Sequence, residues 1–433
     1  MNRLLLVLFW SVISAAFIGP GTVTACASAG AGFGLALLWA LAFSTLACLV
    51  LQEAAARVTV VSGLDLGRAI RRRFPGGRAG LPVLLLVLGA VLLGCAAYEA
   101  GNILGGVSGA HLGTGLPRAE LTLACGASAG ILLWFGRARS VARLMGCAVA
   151  LMGAAFLAVA ALLRPPPLDL LRGGLVPSFP SGSGMLVLGL IGTTVVPYNL
   201  FLGSGLAGGQ TLRESRFGLA VAIPLGGIIS MAILVAGTAV SGRFDFDSLS
   251  TTLAGRLGAW AGPLFAFGLF GAGLSSAVTA PLAAAVTARG LFGGRCPERW
   301  EDRSWRYRTV WMAILLVGLA FGLLEVRPVP AILLAQALNG LLLPFVALFL
   351  LIVLNDRRIV GRAGLNGPAA NLALGGVVAV TLVLGAYHTL GPAAVAVGLP
   401  APGGGALLAV SGLAAGLAFA PVLRSIRRRR DLI

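Results

Sequence analysis

Phe17-Ile18-Gly19-Pro20-Gly21-Thr22 and Leu190-Ile191-Gly192-Thr193-Thr194-Val195-Val196-Pro197-Tyr198-Asn199 lie in the middle of two long apolar segments. Proline removes a backbone donor and glycine loosens the chain, so both segments are predicted to break near the centre of a bilayer. One such interruption reads as an ordinary proline kink. Two, five segments apart, are the pattern of a transporter built from inverted repeats. In that architecture half-helix ends offer backbone carbonyls and amides to a cargo at mid-membrane.

The rest of the chain agrees. Of its 433 residues, 58% are hydrophobic and 11% charged, against roughly a quarter charged in soluble domains. Apolar windows of roughly 20 residues predict an all-α polytopic membrane protein. Twelve spans fall near 5–31, 34–60, 82–109, 119–136, 142–163, 184–208, 217–241, 260–287, 308–324, 329–354, 369–388 and 404–423. The first apolar segment follows a single Arg3 and has no small-residue cleavage site, so it reads as a retained helix rather than a signal peptide.

The formal net charge is +18, and all 32 basic residues are arginine. With the N-terminus placed in the cytoplasm, 25 of the 32 fall in cytoplasmic segments, six in external loops, and Arg57 ends the second span. This asymmetry predicts both termini cytoplasmic, in the inner membrane of a bacterium. Because the arginines alternate with the spans, they give no nucleic-acid face. The tail Arg427–Arg430 fixes topology or touches anionic headgroups. Six cysteines show no metal or disulfide spacing, and no Ser/His pair, paired carboxylates or metal-spaced histidines occur in the spans. No enzyme activity, cofactor or partner chain is therefore expected, only a monomer in the lipid bilayer with its cargo.

Several strings carry a family resemblance. Gly19-Pro20-Gly21-Thr22, Ala29-Gly30-Ala31-Gly32-Phe33-Gly34 with Leu37-Leu38-Trp39, and Leu51-Gln52-Glu53-Ala54-Ala55-Ala56-Arg57 with Ser62-Gly63-Leu64-Asp65-Leu66 resemble the opening of the NRAMP family of divalent metal-ion transporters. Gly192 to Leu202 resembles that family's sixth helix, and Gly271-Ala272-Gly273-Leu274-Ser275-Ser276-Ala277-Val278-Thr279 its eighth. The resemblance implies a LeuT-like fold with a 5+5 inverted repeat. The first repeat would be 1–163 and the second 184–355, with helices 369–423 behind, all in one domain. It also implies metal-ion transport by alternating access, with ion symport.

The departures concern the site. The family's Asp-Pro-Gly-Asn is here Gly19-Pro20-Gly21-Thr22, and its Met-Pro-His is Val196-Pro197-Tyr198. The thioether that favours transition metals is thus a valine, and Gly203 stands where a further histidine is usual. The backbone carbonyls of Ala16 and Thr193, at positions the family uses, survive such changes. What remains is a degenerate metal site of neutral oxygens: Thr22, Thr193, Thr194, Tyr198, Asn199, Gln336 and Asn339. The acids inside the spans are Glu53 and Glu99. Glu53 can pair with Arg57 at i+4. Glu99 shares a helix face with Asn102, at positions where the family holds an aspartate and a glutamate on its proton route, and Arg308 matches one of its paired arginines. Glu99 therefore suits either a relay or a structural hydrogen bond.

The expected function is transport of an inorganic cation, shifted from manganese or iron toward magnesium, whose water leaves reluctantly. With half of each proton pair gone, proton coupling is in question. The alternatives are transport of a small organic or neutral solute, and a sensor on the same scaffold that no longer transports.

Overall fold

The computed structural model describes residues 18–75, 77–78, 80–135, 138–294, 296–396 and 404–430. The opening half of the first span, with Ala16, and the loop residues Arg137 and Arg295 lie outside the described residues, as do those expectations that rest on them. Among the described residues every regular element is a helix.

The spans run Pro20–Phe33, Leu38–Ser62, Gly80–Thr114, Arg118–Phe135, Ala138–Leu163, then a sixth in two halves, Gly184–Thr194 and Pro197–Leu206. Leu212–Gly237, Ala261–Phe292, Trp305–Leu323, Pro328–Leu354, Pro368–Ala396 and Gly404–Arg430 complete the series. Among the described residues eight stretches, with the two halves of the sixth taken together, are long and apolar enough to cross a membrane. The third, with 35 residues, is longer than a bilayer core requires, since about 20 residues suffice to cross one.

Both prolines act as helix starters rather than kinks. Pro20 and Pro197 are each the first residue of a helix, preceded by extended residues Gly19 and Val196. At that position a proline loses nothing, because its missing N–H would have had no intrahelical acceptor and its φ is already helical. The sixth span therefore interrupts cleanly: Val195 N–H donates to Ile191 O at 2.9 Å, Val195 and Val196 are both non-helical, and a new helix begins at Pro197.

Short helices occupy loops that hydrophobic periodicity left blank. Leu66–Arg73, Phe246–Leu257 and Arg357–Gly364 are each opened by an aspartate, Asp65, Asp245 and Asp356, whose side chain accepts an N–H of the first turn. Pro167–Leu175 packs on the second span. The loop behind it is fastened by Trp39, whose indole N–H donates to Ser178 O at 2.9 Å, while Ser178 Oγ returns a bond to Ala36 O at 2.8 Å. At the opposite end of the second span, Ser204 Oγ lies 2.7 Å from Thr59 Oγ1 and accepts Leu66 N–H, tying the end of the sixth span to the second.

Bilayer hydrocarbon supplies no hydrophobic drive between helices, so close packing of small residues must hold the spans. The third span threads the centre, packed on the eighth, ninth, tenth and first. Its Gly106 meets Gly273 of the eighth backbone to backbone, with room for no side chain on Gly273. Gly273→Val should force these spans apart and cost roughly 1–3 kcal/mol, as overpacking does, lowering the thermal midpoint in detergent. Gly376→Ala, at a position with open space around it, should leave the midpoint unchanged or raise it.

Candidate functional site at the two breaks

The breaks in the first and sixth spans face one another. Thr22, in the first turn of the first helix, shares a 2.8 Å hydrogen bond with Thr193 Oγ1 at the end of the sixth span's first half. Gln336 of the tenth span closes a third side. Its carboxamide lies against Gly21, so that a Cβ there would overlap it, and its backbone abuts Gly192. Ser276 of the eighth span borders Gly19, with Oγ 3.3 Å from where a Cβ would stand. Thr22, Thr193, Tyr198, Asn199 and Gln336 are all buried.

Two further residues, which sequence reasoning did not single out for this site, complete it. Tyr98 of the third span donates its hydroxyl to Gly192 O at 2.9 Å and sets its ring edge-on to Tyr198, with centroids 5.4 Å apart. Gln52 of the second span donates Nε2–H to Asn199 O at 3.2 Å. A mid-span tyrosine and glutamine are weak signals alone. Their partners are backbone carbonyls at the break, which no sequence pattern marks.

Several buried polar atoms at the site lack partners, most of them acceptors. Gln52 Oε1, Asn199 Oδ1, Gln336 Oε1, the Tyr198 hydroxyl and Asn199 Nδ2 are buried without partners. Leaving each such group unpaired costs about 1–3 kcal/mol. For Gln52 the orientation is fixed by chemistry: its nitrogen must be the donor to a carbonyl, so its oxygen is the free end. Pro197 has no N–H, so the carbonyl of Thr193 has no helical donor one turn on. The site is thus rich in acceptors and holds no charge. Among the described residues no cluster of three or more His, Cys, Asp or Glu is placed to hold a metal.

The remaining candidates are engaged differently. Thr194 Oγ1 bonds back to Leu190 O at 3.0 Å, within its own helix. Val196 is the extended residue before Pro197 and contributes no side-chain ligand. Asn339 turns to the third span, donating to Ala335 O at 3.0 Å and Gly94 O at 3.4 Å. Glu99 is fully buried on the side of the third span that faces the ninth, with its Cγ against Gly318 and Oε2 accepting from Asn102 Nδ2 at 3.4 Å. Arg308 stacks over Trp134 at 3.8 Å from its ring centre. It sits ten residues, or about 15 Å of helix rise, before Gly318. The structure does not bring Arg308 to Glu99. Glu53 pairs with Arg57 at 3.4 Å and with Arg216 of the seventh span at 2.7 Å, a structural clasp at the end of the second span.

The sequence pattern described as "Natural resistance-associated macrophage protein-like" matches residues 11–391. The chain belongs to the Nramp family. It is 28% identical over 389 residues to a divalent metal cation transporter MntH of Acidiphilium cryptum, covering 85% of this chain and 86% of the relative. The MntH of Deinococcus radiodurans is 28% identical over 392 residues, covering 86% of each. The manganese transporter of Eremococcus coleocola, solved as its H236A mutant, superposes with a TM-score of 0.72 at 20% identity over 97% of this chain and 94% of that one. Mhp1, a nucleobase-cation-symport-1 family transporter in a closed conformation, superposes at 0.56 with 16% identity over 98% and 93%. The Nramp chain is therefore an all-α membrane protein of LeuT-like fold, and not an enzyme.

Glu53→Gln removes the shared partner of two arginines in a partly buried clasp. The loss should lie between the ~0.5 kcal/mol of an exposed pair and the ~3 kcal/mol of a buried one. It should appear as a lower thermal midpoint with ion binding retained.

Proposed function

We propose that this Nramp protein carries an inorganic divalent cation across the membrane by alternating access, with the ion keeping part of its water shell, and that it favours magnesium over manganese. The observation that carries this reading is the set of buried amide oxygens that have no hydrogen-bond partner, on side chains that carry no charge. A bare divalent ion moved from water to such a site would lack any counter-charge, at a cost of tens of kcal/mol. A hydrated ion presents water hydrogens instead, and these need acceptors. Gln52 Oε1, Asn199 Oδ1, Gln336 Oε1 and the Thr193 carbonyl supply them. Magnesium gives up its water reluctantly, and with valine at 196 no soft ligand favours manganese.

The relatives are named divalent metal cation transporters, which supports the cargo class. Proton coupling is not part of the proposal: Glu99 faces Asn102, and Arg308 lies a long way along the ninth span on Trp134. The arginine asymmetry supports cytoplasmic termini in a bacterial inner membrane. The two breaks support repeats over 1–163 and 184–355 in a single transporter domain, which we take to work as a monomer.

A second reading is transport of a small neutral solute. It is favoured by Asn199, whose amide offers both a free donor and a free acceptor. Stabilisation by metabolites without metal would support it.

In proteoliposomes, Mg²⁺ entry should be saturable, exceed that into empty vesicles, and be indifferent to an imposed pH gradient. If neither Mg²⁺ nor Mn²⁺ enters faster than into empty vesicles, the cation reading fails. The combined substitutions Gly19→Asp, Thr22→Asn and Val196→Met put back a carboxylate, an amide oxygen and a thioether. They should tighten Mn²⁺ binding at least about tenfold, the ~1.4 kcal/mol per decade that one charge-assisted ligand readily supplies.

A further inference from the structure

Every helix break at mid-membrane exposes carbonyls, and what becomes of each decides which are left for cargo. In the sixth span the last backbone bond of the first half ends on Ile191 O. Gly192 O is the next carbonyl and Thr193 O the one after. Thr193 O would fall to Pro197, which has no N–H. Gly192 O is treated differently: the Tyr98 hydroxyl, from another span, donates to it at 2.9 Å.

Tyr98 is well placed for this task, and its hydroxyl also meets the Thr193 side chain. It lies on the face of the third span, with Gly94, Gly101 and Gly105, that meets the tenth span and the first break, where Gly105 touches Pro20. Its ring is buried and braced at right angles against Tyr198, the second residue of the other half-helix. One side chain therefore touches both halves of the broken span, the first half by its hydroxyl and the second by its ring. Glu99, its neighbour in sequence, faces the ninth span instead.

We propose that Tyr98 is a positioning and specificity-determining residue of the cargo site. Its hydroxyl occupies the Gly192 carbonyl, holds the two halves of the sixth span at a fixed separation, and withholds that carbonyl from the cargo. A backbone carbonyl is a good direct ligand for a cation that sheds water easily. With Gly192 O taken, the break offers one such oxygen fewer, and an ion that keeps its shell is favoured. This inference rests on the cation reading for its selectivity and on the structure alone for the positioning.

Tyr98→Phe separates the two contacts, since it keeps the ring against Tyr198 and removes only the hydroxyl. Tyr98→Leu removes both. Hydrogen–deuterium exchange on the purified full-length protein reads the positioning without any cargo. Amides of residues 193–199 should exchange about fivefold faster in Tyr98→Phe, the effect of losing one hydrogen bond of ordinary net strength. Peptides from the fourth and seventh spans should be unchanged, and Tyr98→Leu should show a larger effect at the same amides. Unchanged exchange at 193–199, or an equal rise throughout the bundle, would overturn the proposal.

Titration of the same proteins with Mg²⁺ and Ca²⁺ gives the readout that a merely structural role would not move. The preference for Ca²⁺ relative to Mg²⁺ should rise about fivefold in Tyr98→Phe, by the same hydrogen-bond equivalent. An equal loss of affinity for both ions overturns the specificity role. If the unmodified protein takes up neither ion, the cation reading falls, and the exchange result still decides whether Tyr98 positions the break.

Discussion

A helix that stops in the middle of a bilayer leaves backbone carbonyls where no water can satisfy them. That constraint organises this protein. Pro197 ends any chance of continuing the ladder, and Val195 and Val196, neither of them helical, carry the chain across. The carbonyls so exposed must find partners on neighbouring spans or in a cargo. Tyr98 reaches in from the third span to Gly192 O and Gln52 from the second donates to Asn199 O, while the Thr22 hydroxyl of the first meets only the Thr193 hydroxyl and leaves the Thr193 carbonyl open. The glycines that let these spans approach, Gly21 under Gln336 and Gly192 against the tenth span, are there because the polar groups have to meet.

The fold was largely legible in the sequence because its strongest signals are long. Apolar windows place the spans, the arginines orient them, and two proline-glycine interruptions mark the breaks. The prolines were legible as interruptions but not as the helix starters they turn out to be, since that depends on the extended residue before each. The short capped helices such as Leu66–Arg73 escaped because eight residues carry too little periodicity, although Asp65 is a recognisable cap.

The site was legible in part. The residues at the breaks, Thr22, Thr193, Tyr198 and Asn199, come together with Gln336 as their positions suggest. Thr194 and Asn339 are the right residue types in the right region but turn elsewhere, Thr194 to its own helix and Asn339 to Gly94. Composition cannot settle a rotamer. Glu99 and Arg308 match family positions, yet ten residues of the ninth span separate Arg308 from Gly318, the glycine that Glu99 touches. Tyr98 and Gln52 went unmarked because each binds main chain, and main chain has no residue identity to read.

The central claim is that an uncharged set of acceptors holds an ion through its water. Hexaamminecobalt(III) tests it most directly, because this exchange-inert ion has the size and outward N–H donors of a fully hydrated magnesium ion and cannot lose its shell. It should compete with Mg²⁺ for uptake into proteoliposomes, and the competition should weaken when Gln336→Leu removes one acceptor. Saturable Mg²⁺ uptake untouched by hexaamminecobalt(III) would mean that the ion sheds its water and meets the protein directly, and would contradict the claim.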